Sequence, residues 1–99
     1  MTITEATDKV KALTENHAGK LNATVKFSFS DGGNIFLDDT KSPTVVSNED
    51  ETAECTLIMG LDDFGKLMSG DLNPMMAFMT GKMKVEGDKG IAMKMSGMF

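Results

Sequence analysis

The chain has no tryptophan, no tyrosine and no arginine, and only one cysteine and one histidine, in 99 residues. Each absence removes a class of function. Without arginine there is no bidentate clamp for phosphates or guanine edges, and without Trp or Tyr there is no broad aromatic platform for bases. All ten basic residues are lysines and the net charge is −5, so nucleic-acid binding is not expected. The lone Cys55 excludes an internal disulfide and points to a reducing compartment. No basic residue lies near it in sequence to lower its pKa, so it reads as a small buried hydrophobe. His17 has no recognisable nucleophile–base partner. The pairs Asp38-Asp39 and Asp62-Asp63 read as turn and cap residues, and no glycine-rich phosphate loop occurs. Neither catalysis nor a cofactor is expected. No apolar run has the length to span a bilayer. Met1-Thr2-Ile3-Thr4-Glu5 lacks the basic start and apolar run of a secretory leader, so the expected location is cytoplasmic. The length predicts one domain over 1–99.

Methionine is what the chain has in excess. Nine of its ten methionines fall in the last 41 residues: Met59, Met68, Met75, Met76, Met79, Met83, Met93, Met95 and Met98. Such side chains are unbranched, flexible and polarizable, and they recur where a site must accept ligands of several shapes. The competing reading is a soft core. Charge is also uneven. Residues 1–81 hold six lysines against thirteen acids, net −7, whereas residues 82–99 hold four lysines against two acids, net +2. Solvated surface charge explains this, and so does attraction to an anionic headgroup or membrane surface.

Residues 4–16 predict an amphipathic helix, capped by Thr4 or Thr7, with Ala6, Val10 and Leu13 on one face and Gly19 closing the segment. Residues 23–30 alternate, with Val25, Phe27 and Phe29 facing one way. Asp31-Gly32-Gly33-Asn34 is hairpin chemistry, and residues 35–38 return. Of two registers, the one turning Ile35 and Leu37 inward is favoured because it removes two apolar side chains from water. Thr44-Val45-Val46 predicts a third strand, residues 48–51 an acidic turn, and 53–59 a fourth strand with Cys55, Leu57 and Met59 on one face. The period then changes to 3.6. Asp62 or Asp63 caps a helix to Ser69, with Phe64, Leu67 and Met68 on one face and Gly70 after its end. Asn73-Pro74 starts another helix, with Met75, Phe78 and Met79 as its apolar face. Residues 82–86 alternate, with Met83 and Val85 inward. Asp88 starts a last helix with Ile91, Met95, Met98 and Phe99 on one side and Ala92 and Met93 off it. The expected fold class is α+β: a five-stranded mixed sheet covered on one face by helices. Strands one to four are expected as an antiparallel meander, with strand five returning parallel to a neighbour.

The run from Gly70 to Asp88, Gly-Asp-Leu-Asn-Pro-Met-Met-Ala-Phe-Met-Thr-Gly-Lys-Met-Lys-Val-Glu-Gly-Asp, resembles the sterol carrier protein type 2 family. So do Gly90-Ile91-Ala92-Met93-Lys94-Met95 and the strand Ala53-Glu54-Cys55-Thr56-Leu57. The resemblance is strong over 53–96 and weaker before it. Here the first hairpin is tighter and the stretch after Met95 shorter, so a long C-terminal lid is not expected. The resemblance implies an apolar tunnel between sheet and helices, and carriage of fatty acids, acyl-CoA thioesters, phospholipids or sterols.

With that fold, the inward faces supply a lipid-binding wall: Phe27, Phe29, Phe64, Leu67, Met68, Met75, Phe78, Met79, Met83, Val85, Ile91, Met95 and Phe99. Core packing competes for each. Lys82, Lys84, Lys89 and Lys94 are candidates to steer an anionic headgroup, with transient contact to an anionic membrane or a lipid-using enzyme. An enclosed void of ~300 Å³ would cost about 7 kcal/mol, comparable to the whole stability of a small domain. Any tunnel should therefore be filled or partly collapsed. Two alternatives are a Cu(I) site using Met75, Met76 and Met79 or Met93 and Met95, and an interaction domain with a Met-rich surface.

Overall fold

The computed structural model describes residues 1–99. The elements run α1 (Ile3–Asn16), β1 (Thr24–Phe29), β2 (Asn34–Asp38), β3 (Val45–Ser47), β4 (Cys55–Met59), α2 (Leu61–Ser69), α3 (Pro74–Met79), β5 (Met83–Gly87) and α4 (Lys89–Ser96). The fold is α+β, a five-stranded mixed sheet with helices packed on one face. No helix is long and apolar enough to cross a membrane.

The cap of α1 is Thr2, not Thr4 or Thr7. Glu5 stands three residues after Thr2, the spacing that closes a reciprocal capping box. The Glu5 backbone N–H donates to Thr2 Oγ1 at 3.1 Å, and the Thr2 N–H donates to Glu5 Oε1 at 3.0 Å. These bonds, the backbone one first, hold the Glu5 carboxyl below its ordinary pKa. Thr7 instead donates within the helix to Ile3 O at 2.7 Å.

The hairpin between β1 and β2 uses three loop residues. The Gly32 N–H donates to Phe29 O at 3.0 Å, and the Phe29 N–H donates to Gly33 O at 3.1 Å. Gly32 takes φ 114°, a value that side chains rarely adopt. Phe27 then stands opposite Ile35 and Val25 opposite Leu37, so Ile35 and Leu37 enter the core in the favoured register.

The strand order is β3-β2-β1-β4-β5, which corrects the expected meander. The parallel pair is β1 with β4, with Phe27 opposite Leu57. Strand β5 is antiparallel to β4, with Leu57 opposite Val85 and Met59 opposite Met83. The reason lies in residues 48–54, which form a strap rather than a tight turn. Asn34 Nδ2 donates to Glu49 O at 2.8 Å, Lys26 Nζ meets Asp50 Oδ1 at 2.9 Å, and the Glu54 N–H donates to Thr24 Oγ1 at 2.9 Å. These ties carry the chain across β2 and β1 on the face away from the helices, so β4 is delivered beside β1. They also account for Phe36, which points to that outer face yet is only 7% exposed.

The cap of α2 also differs from expectation. Gly60 is the N-cap of α2, and Asp31 reaches from the hairpin to accept the Leu61 N–H at 3.0 Å. Asp62 and Asp63 occupy the first turn, where the helix dipole favours them. Gly70 ends α2 in the left-handed region at φ 85°, as expected. The core itself is close-packed. Phe64 meets Phe27 and Phe29 edge-on at centroid distances of 5.4 and 5.3 Å, and Phe99 lies 6.4 Å from Phe27.

A second organising point is Asp39, which is 4% exposed. Its Oδ1 accepts from the Gly19 N–H at 3.0 Å and the Thr44 hydroxyl at 2.7 Å. Its Oδ2 accepts from the Leu21 N–H at 2.8 Å and the Asn22 N–H at 3.0 Å. Burial works to raise its pKa, and the donors from Gly19, Thr44, Asn22 and Leu21 outweigh it, so the carboxyl titrates below its ordinary value. The expected turn residue is thus a clamp between two loops.

Candidate functional site

The free apolar space lies over the inner side of the edge strand β5, between α3 and α4. It is a solvent-open groove of about 470 Å³. Val85 and Met83 from β5 form its floor. Pro74, Met75 and Phe78 from α3 form one wall, and Ala92, Met93, Ser96 and Gly97 form the other. Lys89 is the single charged residue among the lining side chains, and Asn73 stands at the far end of α3. An open groove avoids the cost of an enclosed void, because water can enter it.

Local sequence explains the walls. Asn73 Oδ1 accepts from the Met75 and Met76 N–H groups at 2.8 and 3.4 Å, and Pro74 needs no acceptor at the first helical position. After Thr80, Gly81 turns the chain at φ 78°, and the Lys82 N–H donates back to Ala77 O at 2.9 Å. These constraints set the rotation of a helix under two turns long. On α4, Asp88 Oδ1 caps by accepting from Gly90 and Ile91 N–H groups at 2.8 and 3.2 Å.

That rotation overturns part of the expected wall. Met75, Phe78 and Met79 were assigned inward, but they are 60%, 45% and 72% exposed. The side chain facing the core is Ala77, which is fully buried. Its small size lets the α3 backbone approach β5 closely and leaves the large neighbours with nothing above them. Met75 and Phe78 still reach the groove from its rim, whereas Met79 does not. On α4, Ala92 is buried beside Met95 rather than lying off the stripe, and Ile91 and Phe99 are half-buried.

The other assigned residues divide between packing and surface. Phe27, Phe29, Phe64, Leu67 and Met95 are in the closed core, with Met68 packed against it, and none lines the groove. Met83 and Val85 do line it. Lys82, Lys84 and Lys94 are exposed and lie outside it, and Lys89 lies within it. The sequence reading missed Asn73, Pro74, Ala92, Met93, Ser96 and Gly97 as lining residues. A signal was present: Lys89, Met93 and Gly97 recur at i, i+4 and i+8, a second stripe beside the buried one. Elsewhere, His17 sits at the C-cap of α1, and Cys55 is buried, with desolvation and then Asp88 pushing its thiol pKa up. Neither joins the methionines, and no group of three or more His, Cys, Asp and Glu side chains converges.

Comparison with known proteins fits this geometry. Human sterol carrier protein 2 is 44% identical over 55 residues, covering 56% of this chain and 10% of that protein. Human hydroxysteroid dehydrogenase-like protein 2 is 42% identical over 72 residues, covering 71% of this chain and 17% of that protein. The chain thus spans between a tenth and a fifth of the curated relatives it matches. The solution structure of sterol carrier protein domain 2 of Helicoverpa armigera superposes with a TM-score of 0.71 at 30% identity, over 85% of this chain and 71% of that one. None of these matches supports a copper site. The family model for the SCP-2 sterol transfer family matches residues 3–99, and the chain belongs to that family.

Proposed function

We propose that this chain is a non-enzymatic carrier that holds one long acyl chain in the α3–β5–α4 groove, with an anionic headgroup beside Lys89. Membership of the family supports a lipid- or sterol-binding role at the coarser level. The observation that carries the finer reading is the groove itself, apolar over most of its lining and bordered by a single charge. At ~30 Å³ per water-sized group, its 470 Å³ admits about fifteen carbon atoms. A dozen buried methylenes supply ~10 kcal/mol gross at ~0.8 kcal/mol each. Association and ordering take back at least about 4 kcal/mol, leaving ~6 kcal/mol or less, an affinity on the order of tens of micromolar or weaker.

A fatty acid fits this arrangement best, because its acyl chain suits an open apolar groove and its carboxylate suits Lys89. Acyl-CoA thioesters, phospholipids and sterols are the alternatives the same groove would be tested against. Flexible Met75 and Met93 at the rim suit reversible binding with loose shape selection, and no covalent step is involved. The carrier would work in a reducing, cytoplasmic setting and exchange its lipid with membranes or a lipid-using enzyme.

Native mass spectrometry of freshly purified protein, followed by organic extraction, identifies any bound lipid. Displacement of a fluorescent fatty acid then ranks oleate, oleyl alcohol, oleoyl-CoA and cholesterol. Lys89→Gln should weaken oleate by about two- to fivefold and leave oleyl alcohol unchanged. A protein that never carries or takes up any lipid would defeat the proposal.

A further inference from the structure

The exposed apolar surface of this protein is mostly thioether. Of its seven exposed large apolar side chains, five are methionines, Met1, Met75, Met76, Met79 and Met93, and the others are Val45 and Phe78. Leucine would serve as well for apolar contact, but sulfur adds one chemistry that leucine lacks, oxidation to a sulfoxide. The four methionines exposed on α3 and α4 divide into two pairs. Met75 and Met93 line opposite walls of the groove, 60% and 71% exposed, whereas Met76 and Met79 stand outside it. Met59, Met83 and Met95 are at most 3% exposed. Met83 lies on the groove floor, so depth within one site separates a shielded sulfur from two open ones. No exposed thiol intercepts an oxidant first, because Cys55 is the only cysteine and is fully buried. Its raised pKa also keeps it from the reactive thiolate form.

Oxidation at these two positions changes the chemistry of the groove and leaves its frame alone. The caps and turn that set α3 and α4 use Asn73, Gly81 and Asp88 and involve no sulfur. A sulfoxide keeps the length of the thioether side chain and turns it from apolar to polar. Against an acyl chain its oxygen meets no donor, and a polar group held unpaired in apolar contact is costly. At Met93 a second effect adds to this. Lys89 precedes Met93 by four residues on α4, and both line the groove. Side chains so spaced are neighbours on a helix surface, so the new oxygen can accept from the Lys89 ammonium. It then competes with a lipid carboxylate for the one charged partner in the groove. Sulfoxides at Met76 and Met79, outside the groove, have neither effect.

We propose that Met75 and Met93 are oxidant-sensitive modification sites, and that their conversion to sulfoxides empties the groove. The proposal rests on the groove being a lipid site, and it adds the regulation of that site. The oxidant is hydrogen peroxide or an organic hydroperoxide. The thioether sulfur attacks one peroxide oxygen, an S–O bond forms and the O–O bond breaks. Sulfur gives up two electrons, and the second oxygen leaves as water or as an alcohol. Reversal takes a thiol-dependent sulfoxide reductase, in which two thiols become a disulfide and the sulfoxide oxygen departs as water. A bound chain covers both sulfurs, so the empty carrier is modified before the loaded one.

The test treats the delipidated, unaltered protein with hydrogen peroxide and locates the added oxygens by peptide mass spectrometry. Circular dichroism follows the fold. Met75, Met76, Met79 and Met93 should be modified, and Met59, Met83 and Met95 spared. Affinity for a fluorescent fatty acid should then fall about tenfold, the effect of a polar group left unpaired against the chain. A sulfoxide reductase supplied with dithiothreitol should restore it. Preloading with oleate should slow modification at Met75 and Met93 and leave the rate at Met76 and Met79 unchanged. Two double variants locate the effect, each compared with its own affinity before peroxide. Met76→Leu with Met79→Leu should keep the full fall, and Met75→Leu with Met93→Leu should reduce it to under about twofold. Unchanged affinity in the unaltered protein with Met75 and Met93 fully oxidised overturns the proposal. So does a fall that persists in the Met75→Leu, Met93→Leu variant, or one that accompanies loss of the fold. Untreated protein that takes up no fatty acid defeats the carrier reading and the oxidation proposal together. Normal uptake before peroxide with unchanged uptake after it defeats the oxidation proposal alone.

Discussion

Replacing Asp39 by asparagine keeps the shape of the side chain and removes one acceptor atom. In the native protein the two carboxylate oxygens each take two donors: Gly19 N–H and Thr44 hydroxyl on one, Leu21 and Asn22 N–H groups on the other. An amide has a single oxygen, so one pair of donors would face an NH₂ group. Asn22 is the only non-glycine residue with positive φ, at 47°, and Leu21 is nearly fully buried, so neither N–H has an easy alternative. Two charge-assisted bonds at about 1.5 kcal/mol each give a loss of ~3 kcal/mol, a large share of a small domain's stability. At roughly 4–8 °C per kcal/mol, Tm should fall by about 12–24 °C. The chain has no Trp or Tyr, so far-UV circular dichroism in heat and urea is the suitable probe. The pH dependence follows from the lowered folded pKa. Asp39's contribution is fully present above the unfolded value near 3.8 and disappears as pH falls through the lower folded value. The gap between native protein and Asp39→Asn should therefore be widest near neutrality and narrow in acid. A loss under ~1 kcal/mol at pH 7, or a gap that does not shrink in acid, would refute the clamp.

Backbone geometry, the groove floor and the buried thiol each set a further expected outcome. Gly87 has φ 89°, and a Cβ there would lie 2.3 Å from Glu54 O, whereas Gly70 has φ 85° and nothing within 4 Å. Gly70→Ala should cost about 1 kcal/mol, and Gly87→Ala at least twice that; equal losses in urea titration would show that β4 gives way freely. Val85→Phe should fill the groove floor and weaken fluorescent fatty-acid binding at least about tenfold without unfolding the protein, and unchanged affinity would place the ligand elsewhere. The Cys55 thiol, buried and with its pKa raised by desolvation and Asp88, should react with a disulfide reagent at pH 8 only as fast as the sheet opens. Prompt labelling of the folded protein would contradict that burial.

The sequence by itself determined the elements and the closed side of the core. Strict alternation over β1 and β4 left one phase that buries Phe27, Phe29, Leu57 and Met59, and the structure uses it. Local signals worked where the chemistry was local: Asn73-Pro74 opens α3, Asp88 caps α4 and Gly70 ends α2. The order of strands was not local. It depended on residues 48–54 finding partners in Asn34, Lys26 and Thr24, which are distant in sequence and carry no periodic mark. The candidate site was legible only in part, for the same reason. Periodicity showed that Met75, Phe78 and Met79 share a face, yet it could not say whether that face or Ala77 points inward. A six-residue helix has too few turns for its own pattern to fix rotation. The Asn73 cap, the Gly81 turn and the close approach to β5 fixed it, and they turned the methionines outward. Composition gave an apolar, adaptable half of the molecule; tertiary packing decided which of its methionines are buried and which stand exposed at the rim of the groove over β5.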